Sequence, residues 1–353
     1  MKPFRLILLF AILPIISIAQ IDTSAFNVSG YFDFFYSKDF NKNYSGNKQA
    51  FLTSYNLANQ FALNLALVQL EYEKGITTFH LGLQAGSFAN FNYPESYRYI
   101  NEAYIDLRLN RSESLTFSAG IFPSHLGFES AIAADNVVLS QSLASENSPY
   151  YLLGARLDYA PSNKWNIGAV ICNGWQEIEY VRQGPLKPSI GSYISFAPTE
   201  NLVLNWSTYL GSITGNNGIR NGFFNNIYLK YQLERLKIIA GYDYGVRFLD
   251  IFENKKWSIS SILMGYKISE KFSLGLRGEY LLEDRNDFTA SPLPYQLETG
   301  ILGASMNLDL QINETIKFRV ENRYFSANFK YFSQNEELVY GNNAFTASIS
   351  ARF

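Results

Sequence analysis

Charged and apolar residues alternate along TIKFRVENRYF, residues 315–325. A period of two is typical of a β-strand, whose successive side chains point to opposite faces. The apolar face carries Ile316, Phe318, Val320 and Tyr324, and the opposite face carries Lys317, Arg319, Glu321 and Arg323. An unpaired charge in a dry core costs several kcal/mol, so four charges on one face predict that this face is wet.

The same alternation recurs along the chain and predicts about sixteen strands. Most are close to the ~9–11 residues that cross a bilayer at a tilt. The predicted strands are 25–37, 57–73, 76–89, 97–109, 114–122, 151–160, 164–173, 189–197, 201–212, 222–233, 236–247, 257–268, 272–283, 296–310, 315–326 and 342–353. Within FALNLALVQLEYE the apolar phase changes, which predicts either a bulge or a strand boundary at a different residue.

The connections between these strands alternate in length. Every other link is short and rich in turn residues, such as EKG at 73–75 and ISEK at 268–271, whereas the alternate links, such as ITGNNGIRNG, are longer and polar. Tight turns on one rim and long loops on the other are the plan of an outer-membrane barrel. We therefore predict an all-β fold: a transmembrane antiparallel up-and-down β-barrel with short periplasmic turns and long extracellular loops. A soluble sandwich does not explain a charged interior with an exterior rich in Phe and Leu.

Composition agrees with a barrel and excludes other classes. Aromatic residues make up 16% of the chain, and we expect many of them in interfacial girdles. The expected girdle residues include Phe32, Phe34, Tyr36, Trp165, Trp206, Tyr228 and Trp257. The 29 basic residues against 31 acidic ones leave no basic footprint for nucleic acid, and a single Cys excludes an internal disulfide framework.

The first residues, MKPFRLILLFAILPIISIAQ, predict a secretory signal peptide over residues 1–19. Lys2 and Arg5 form the basic region, an apolar segment follows, and Ser17-Ile18-Ala19 has the small-x-small pattern of a cleavage site. Residues 20–353 are then one outer-membrane β-barrel domain.

The longest link contains the residue types of a functional site. Residues 124–150 combine His125, Glu129, Asp135 and Glu146 with enough apolar residues to pack against the barrel. If this loop folds inward, it narrows a lumen that sixteen strands leave too wide to be filled by side chains. We expect the constriction to be formed by these four residues together with wall residues Arg156, Asp158, Arg277, Glu279, Arg319, Glu321 and Arg323.

One region resembles a known family. The run GIFPSHLGFESAIAADNVVLSQSLASENSPYYLLGARLDY, followed by NGWQEIEY at 173–180, is similar to the signature region of the Putative beta-barrel porin-2 family, the OmpL-like outer-membrane porins. The positions that carry the resemblance are Gly120, Pro123, Gly127, Glu129, Asn136, Ser142, Glu146, Pro149, Tyr150, Gly154, Asn173, Gly174 and Trp175. The resemblance implies a β-barrel porin in the outer membrane, without a defined solute.

The expected function is passive diffusion of small polar solutes or ions, with outer-membrane lipid as surroundings and a homo-oligomer or a membrane complex as an open possibility. An alternative is a barrel that serves as a surface adhesin or an accessory subunit. A hydrolase built on His125 with Glu129 or Asp135 and a nearby Ser is disfavoured, because composition without geometry does not define a catalytic site. His80 and His125 lack the spacing of a zinc site, so no metal or cofactor is expected.

Overall fold

The computed structural model describes residues 25–41, 46–49, 51–179, 188–215, 218–248, 254–284, 298–335 and 337–353. Sixteen strands of the described chain form a closed barrel. They are β1 (Phe26–Asp39), β2 (Gln60–Lys74), β3 (Thr77–Ala85), β4 (Ile100–Arg108), β5 (Leu115–Pro123), β6 (Tyr151–Ser162), β7 (Trp165–Cys172), β8 (Ser189–Thr199), β9 (Leu202–Gly215), β10 (Gly218–Leu233), β11 (Leu236–Arg247), β12 (Lys255–Lys267), β13 (Phe272–Asp284), β14 (Glu298–Gln311), β15 (Ile316–Ala327) and β16 (Gly341–Arg352).

Each strand pairs antiparallel with its sequence neighbours, and β1 closes the barrel by pairing with β16. The closing register places Tyr31 opposite Arg352 and Asp39 opposite Ala344. Closure leaves no open sheet edge, which in lipid would cost several kcal/mol for each unpaired backbone group. The predicted sixteen-strand barrel is therefore confirmed. Within the described residues, no helix is long and apolar enough to cross a membrane.

The period of two separates the two surfaces of the barrel as predicted. On β16, Thr346, Ser348 and Ser350 are buried inside, while Ile349 is 45% exposed on the outer face. The change of phase in β2 is a bulge: Asp33 pairs with Leu65 and Phe34 with Leu63, so Asn64 is the extra residue. The predicted bulge is confirmed.

Two connections differ from the sequence prediction. β3 ends at Ala85, and residues predicted to continue it form the short helix α1 (Ser87–Asn92). The segment predicted as the long loop ITGNNGIRNG is mostly strand, because Ile213 pairs with Arg220 and the ladder continues to Gly215 and Gly218. The predicted signal peptide lies outside the described residues.

The outward orientation that a girdle requires is found for some of the predicted aromatics and is wrong for others. Trp165 and Trp206 are 40% and 51% exposed on the outer surface. Trp257 is buried inside the barrel, where its ring stacks on Phe224 with 6.1 Å between centroids. Tyr228 also points inward and contacts Phe128. Their strand positions fall on the inner face, and an apolar filling of the lumen makes that face suitable for aromatic rings.

This filling comes from residues 124–150, which we call the inward loop. Leu126, Phe128, Val138 and Leu143 of this loop form one buried apolar cluster with inner-face residues of the barrel, among them Ile259 and Leu281. The loop contains a single 3₁₀ turn (Ala133–Asp135) and the short helix α2 (Leu143–Glu146). The lumen therefore contains a packed protein core on one side.

The inward position of Trp257 predicts how the four tryptophans respond to quenchers in the lipid phase. In single-tryptophan variants reconstituted into lipids with brominated acyl chains, fluorescence of Trp165 and Trp206 should be strongly quenched. Trp257 and Trp175, which are 1% and 8% exposed, should be nearly unquenched because the barrel wall separates them from lipid. Quenching of Trp257 equal to that of Trp206 would contradict the inward packing.

Candidate functional site

The inward loop descends through most of the depth of the barrel. It leaves the extracellular end of β5 at Pro123 and returns at Tyr151 on β6. At its lowest point, Asp135 forms an ion pair of 2.8 Å with Arg352, next to the turn that joins β14 and β15, where Arg352 N–H donates to Thr315. Three of the eleven predicted constriction residues are thus far apart along the loop: His125 and Glu146 near its ends and Asp135 at its tip.

Four inner-wall charges hold the returning half of the loop. We call Arg277, Glu279, Glu321 and Arg323 the anchor cluster. Arg277 lies 2.8 Å from Glu321 and 3.3 Å from Glu279, and Arg323 also pairs with Glu279. The side chains of Arg277, Glu279 and Glu321 are at most 1% exposed. They therefore form a buried ion network, which is stable only where every charge has partners.

The loop backbone supplies those partners. The Ser140 N–H donates to Glu321 at 2.6 Å, and the Leu143 N–H donates to Glu279 at 2.6 Å. Arg277 donates to the Ser140 carbonyl at 2.6 Å, and Arg323 donates to the Gln141 carbonyl at 3.0 Å. Charge-assisted bonds of this kind are about twice as strong as neutral ones.

Arg319 holds the tip of the loop in the same way. Its guanidinium pairs with Asp309 at 2.7 Å and donates to the carbonyls of Ala133, Asn136 and Val137. The expectation of a wet face is therefore wrong for Arg319, Glu321 and Arg323, which are 0%, 2% and 6% exposed. Their charges are paired with Asp309, Arg277 and Glu279 and with the loop backbone, so water is not required.

Glycines on the inner wall make room for the loop. A Cβ atom at Gly191 would lie 2.6 Å from the His125 ring, one at Gly241 2.4 Å from the Phe128 ring, and one at Gly275 2.5 Å from the Val137 carbonyl oxygen. These distances are too short for a real side chain. Inward-facing glycines opposite an apolar loop are a sequence signal that could have located its docking surface.

Two acidic residues of the loop are held by hydroxyl and backbone N–H groups. Glu129 accepts from the Ser142 N–H at 2.8 Å and from its hydroxyl, which ties the two halves of the loop together. Glu146 accepts from the N–H and hydroxyl groups of Thr53 and Ser54. Burial raises the pKa of both carboxyl groups, and these hydrogen bonds oppose the rise.

Glu146 thereby connects the inward loop to a second loop, residues 40–59, that sequence reasoning did not place in the lumen. In its described part, Phe51, Leu52, Tyr55 and Asn56 are buried. The Tyr55 hydroxyl donates to Asp33 on β1, and Asp33 also accepts from Ser348 on β16. The two loops are therefore attached to the barrel and to each other.

His125 is bound at the descending end of the inward loop. Its Nε2 lies 2.9 Å from the Thr208 carbonyl oxygen, and its own carbonyl accepts from the Ser207 hydroxyl at 3.0 Å. A bond to a carbonyl requires that Nε2 donates, which leaves Nδ1 as the unprotonated nitrogen. Burial lowers the pKa of His125 to about 4, so the ring is neutral at pH 7.

The wall formed by β3–β6 has a different character, and we call it the open wall. It is defined by His80, Asp106, Arg156 and Asp158, whose side chains remain 16–24% exposed. His80 lies 3.2 Å from Asp106 and stacks on Tyr104, while Arg156 pairs with Asp158 at 2.8 Å and lies over the Phe122 ring. Below them, a recess of about 540 Å³ is lined by Asp106, Arg156 and Asp158 together with residues at the end of β6, in the turn that follows it and on β8. Of the predicted wall residues, Arg156 and Asp158 are therefore the two that face water.

The sixteen-strand barrel with an inward loop defines an outer-membrane porin type of protein. The sequence matches the family model described as Putative beta-barrel porin-2, OmpL-like, over residues 25–353, and the chain belongs to this family. It is accordingly a protein of the outer membrane. No curated protein sequence matches the chain.

Solved structures with the same fold are outer-membrane channels and porins. The outer membrane channel DcaP of Acinetobacter baumannii has a TM-score of 0.64 and 11% identity, over 93% of this chain and 97% of that chain. The anion-selective porin from Comamonas acidovorans has a TM-score of 0.61 and 8% identity, over 93% and 99%. The trimer form of OmpT from Vibrio cholerae has a TM-score of 0.59 and 10% identity, over 93% and 99%. At these identities the similarity shows the fold.

The anchor cluster predicts that Arg277→Met releases the returning half of the inward loop. The variant leaves Glu279 and Glu321 short of a buried partner, and breaking a buried ion pair in this way costs about 3–5 kcal/mol. Hydrogen exchange of peptides covering residues 138–146, measured by mass spectrometry, should accelerate by at least about a hundredfold. Arg108→Met is the matched control, because Arg108 pairs with Glu73 outside the loop. If hydrogen exchange of residues 138–146 were unchanged in Arg277→Met, Arg277 would not anchor the inward loop.

The histidine and the two buried glutamates of the inward loop predict opposite pH responses of its docking. His125 has a pKa that is lowered on docking, so its contribution is present above about pH 6.5 and is lost as the pH falls through about 4. The full effect is about 3 kcal/mol. Glu129 and Glu146 have raised pKa values, so their contribution is present below their ordinary value and is lost as the pH rises through the raised one.

Hydrogen exchange corrected for its intrinsic pH dependence measures both effects. Between pH 7 and pH 4, protection should decrease in peptides covering 124–128 and increase in peptides covering 140–146. His125→Gln should abolish the first change and keep the second. A single uniform change along the loop would show that these groups do not control its docking.

Proposed function

We propose that this protein is a porin through which small polar solutes or ions diffuse passively along the open wall. The observation that carries the proposal is the division of the lumen: the inward loop packs against the inner faces of β8–β16, β1 and β2, while the charged side chains on β3–β6 remain partly exposed. The passage then runs between the loop and the open wall. Loop and wall together narrow it.

In this proposal the predicted constriction residues have two different roles. Arg156 and Asp158, with His80 and Asp106, contact passing solutes and set the local field. Arg277, Glu279, Arg319, Glu321 and Arg323 narrow the passage indirectly, because they hold the loop. His125, Glu129, Asp135 and Glu146 fix the course of the loop itself. Charge on the open wall is what would discriminate between ions, as charged side chains do in other pores.

A homo-oligomer is part of the proposal and is supported by the outer surface. One row of outward positions, across five neighbouring strands, is polar, although on the first four of these strands the outward residues above and below it are apolar or aromatic. The row consists of Ser192, Thr208, Asn225, Tyr244 and Ser258. Ser192 and Thr208 hydrogen-bond at 2.8 Å, and Trp206 donates to Asn225. Polar side chains in the middle of an apolar band are better accommodated against protein than against lipid.

The alternatives receive less support. For a hydrolase, His125 would have to activate a hydroxyl, yet its Nε2 is bonded to a backbone carbonyl and its Nδ1 is buried. We therefore propose that the protein is not an enzyme. For an adhesin, the lumen would serve no purpose, whereas the hydrated charges on the open wall are explained by a passage.

Planar-bilayer recording of the purified protein tests the proposal. We expect step-like currents, with several equal steps appearing together if an oligomer inserts. Arg156→Glu should shift the reversal potential in a salt gradient towards cation preference, because it removes a positive charge from the open wall and adds a negative one. Arg235→Glu makes the same change in an exposed turn outside the lumen and should leave the potential unchanged.

Absence of any step-like current would contradict the channel function. Currents with a reversal potential that is insensitive to Arg156→Glu would instead contradict the course of the passage along the open wall.

A further inference from the structure

A cavity of about 170 Å³ lies between the inward loop and the wall formed by β2 and β4, above the open wall. A cavity of roughly 150 Å³ in another protein admits a benzene-sized molecule, so this one can hold a compound of about six to eight non-hydrogen atoms. Its lining includes the carboxyl groups of Glu102 and Glu129, four serine hydroxyls and the rings of Tyr93, Tyr150 and Tyr151.

The charge of this cavity has one sign. Glu102 and Glu129 are acidic, and the described lining includes no lysine, arginine or histidine. Glu102 is 6% exposed and accepts one hydrogen bond, from Gln69 Nε2 at 2.8 Å. Taking a carboxylate out of water is costly unless donors or positive charge compensate it. The cavity thus favours a cation over an anion or a neutral molecule.

Glu129 has an oxygen atom that lacks a partner. Its Oε2 is satisfied by Ser142, but its Oε1 is shielded from solvent and has no hydrogen-bond partner among the described residues. The nearby guanidinium of Arg277 is occupied by Ser140 and Glu321. An orphaned carboxylate oxygen gains most from a donor that is itself charged.

The rest of the lining suits the body of a small organic cation. Tyr93 and Tyr151 stack at 4.2 Å between ring centroids with 20° between planes, and tyrosine rings attract cations through their faces. Leu67, Leu126 and Ile132 supply an apolar side, and the serine hydroxyls offer further acceptors. An ammonium group with three N–H donors and a short apolar chain matches this combination.

We propose that the cavity is a binding site for small primary ammonium compounds, with the ammonium group donating to Glu102 and Glu129. The inference rests on the proposed channel function, because a solute would reach the cavity through the lumen, and it names the class of solute. Binding there would concentrate amines in front of the open wall.

Isothermal titration calorimetry on the full-length protein in detergent at pH 7 tests the site without requiring conduction. Butylammonium is the probe, and 1-butanol and butyrate are its neutral and anionic counterparts. We expect saturable binding of butylammonium only. Glu102→Gln should weaken it by about tenfold or more, as expected for loss of a charged hydrogen-bond partner. Glu73→Gln, the same substitution at the periplasmic end of β2 and outside the cavity, should bind as the wild type does.

A second variant keeps the test valid if Glu102→Gln does not fold. Ala131 lines the cavity, so Ala131→Leu should fill part of it and reduce binding without a change of charge. Equal binding of all three probes, or wild-type binding in both cavity variants, would overturn the proposal. Step-like currents without butylammonium binding would reject the site and retain the channel. Binding without currents would retain the site and reject the channel.

Discussion

The pairing of buried inner-wall charges with the backbone of the inward loop is the interaction on which the rest of the lumen depends. Residues 133–143 are mostly non-helical, so their N–H and C=O groups lack regular partners of their own. Arg277, Glu279, Arg319, Glu321 and Arg323 supply these partners, and the loop in turn removes water from the charges. Either component alone would leave buried polar groups unsatisfied, at about 1–3 kcal/mol for each neutral group and more for each charge. The loop position and the charge row are therefore one structural feature.

This dependence spreads from the inward loop to its neighbours. Glu146 accepts four hydrogen bonds from Thr53 and Ser54, so the second loop is fixed by the first. The second loop reaches β1 through Tyr55 and Asp33, and Asp33 is linked to β16 through Ser348. The seam where the barrel closes is thus connected to the loop that narrows it. We expect that a change in the docking of the inward loop also changes the docking of the second loop, because partners in one hydrogen-bond network are not independent.

The strands could be predicted from the sequence because period two is a local signal that sixteen segments repeat, and a sheet in lipid has to close. The environment of each face could not be predicted in the same way. From the sequence alone, the charged face of residues 315–325 is expected to contact water and Trp257 is expected to lie in a girdle. The actual environment of both is set by the inward loop, which is more than a hundred residues away in the chain. Loop docking is a long-range packing event, and the only local trace of it is the set of inward glycines such as Gly241 and Gly275. The sequence therefore identified the loop and its charged partners, but it did not distinguish the partners that bind the loop from those that face water.

The side of the lumen that stays hydrated is decided by strand register. On the open wall, Asp106, Ser118 and Arg156 lie directly opposite one another on three neighbouring strands. Ser118 can therefore donate to Asp106 and accept from Arg156, while His80 and Asp158 extend the network sideways. These side chains are paired with each other within the sheet, so they do not need the backbone of a loop. On β13–β15 the charges are joined into a network as well. Glu321, Glu279 and Arg277 nevertheless retain hydrogen-bonding capacity, and the backbone groups of Ser140 and Leu143 use it. The asymmetry of the lumen follows from this difference: the loop docks where wall charges remain incompletely satisfied, and water remains where they are already paired.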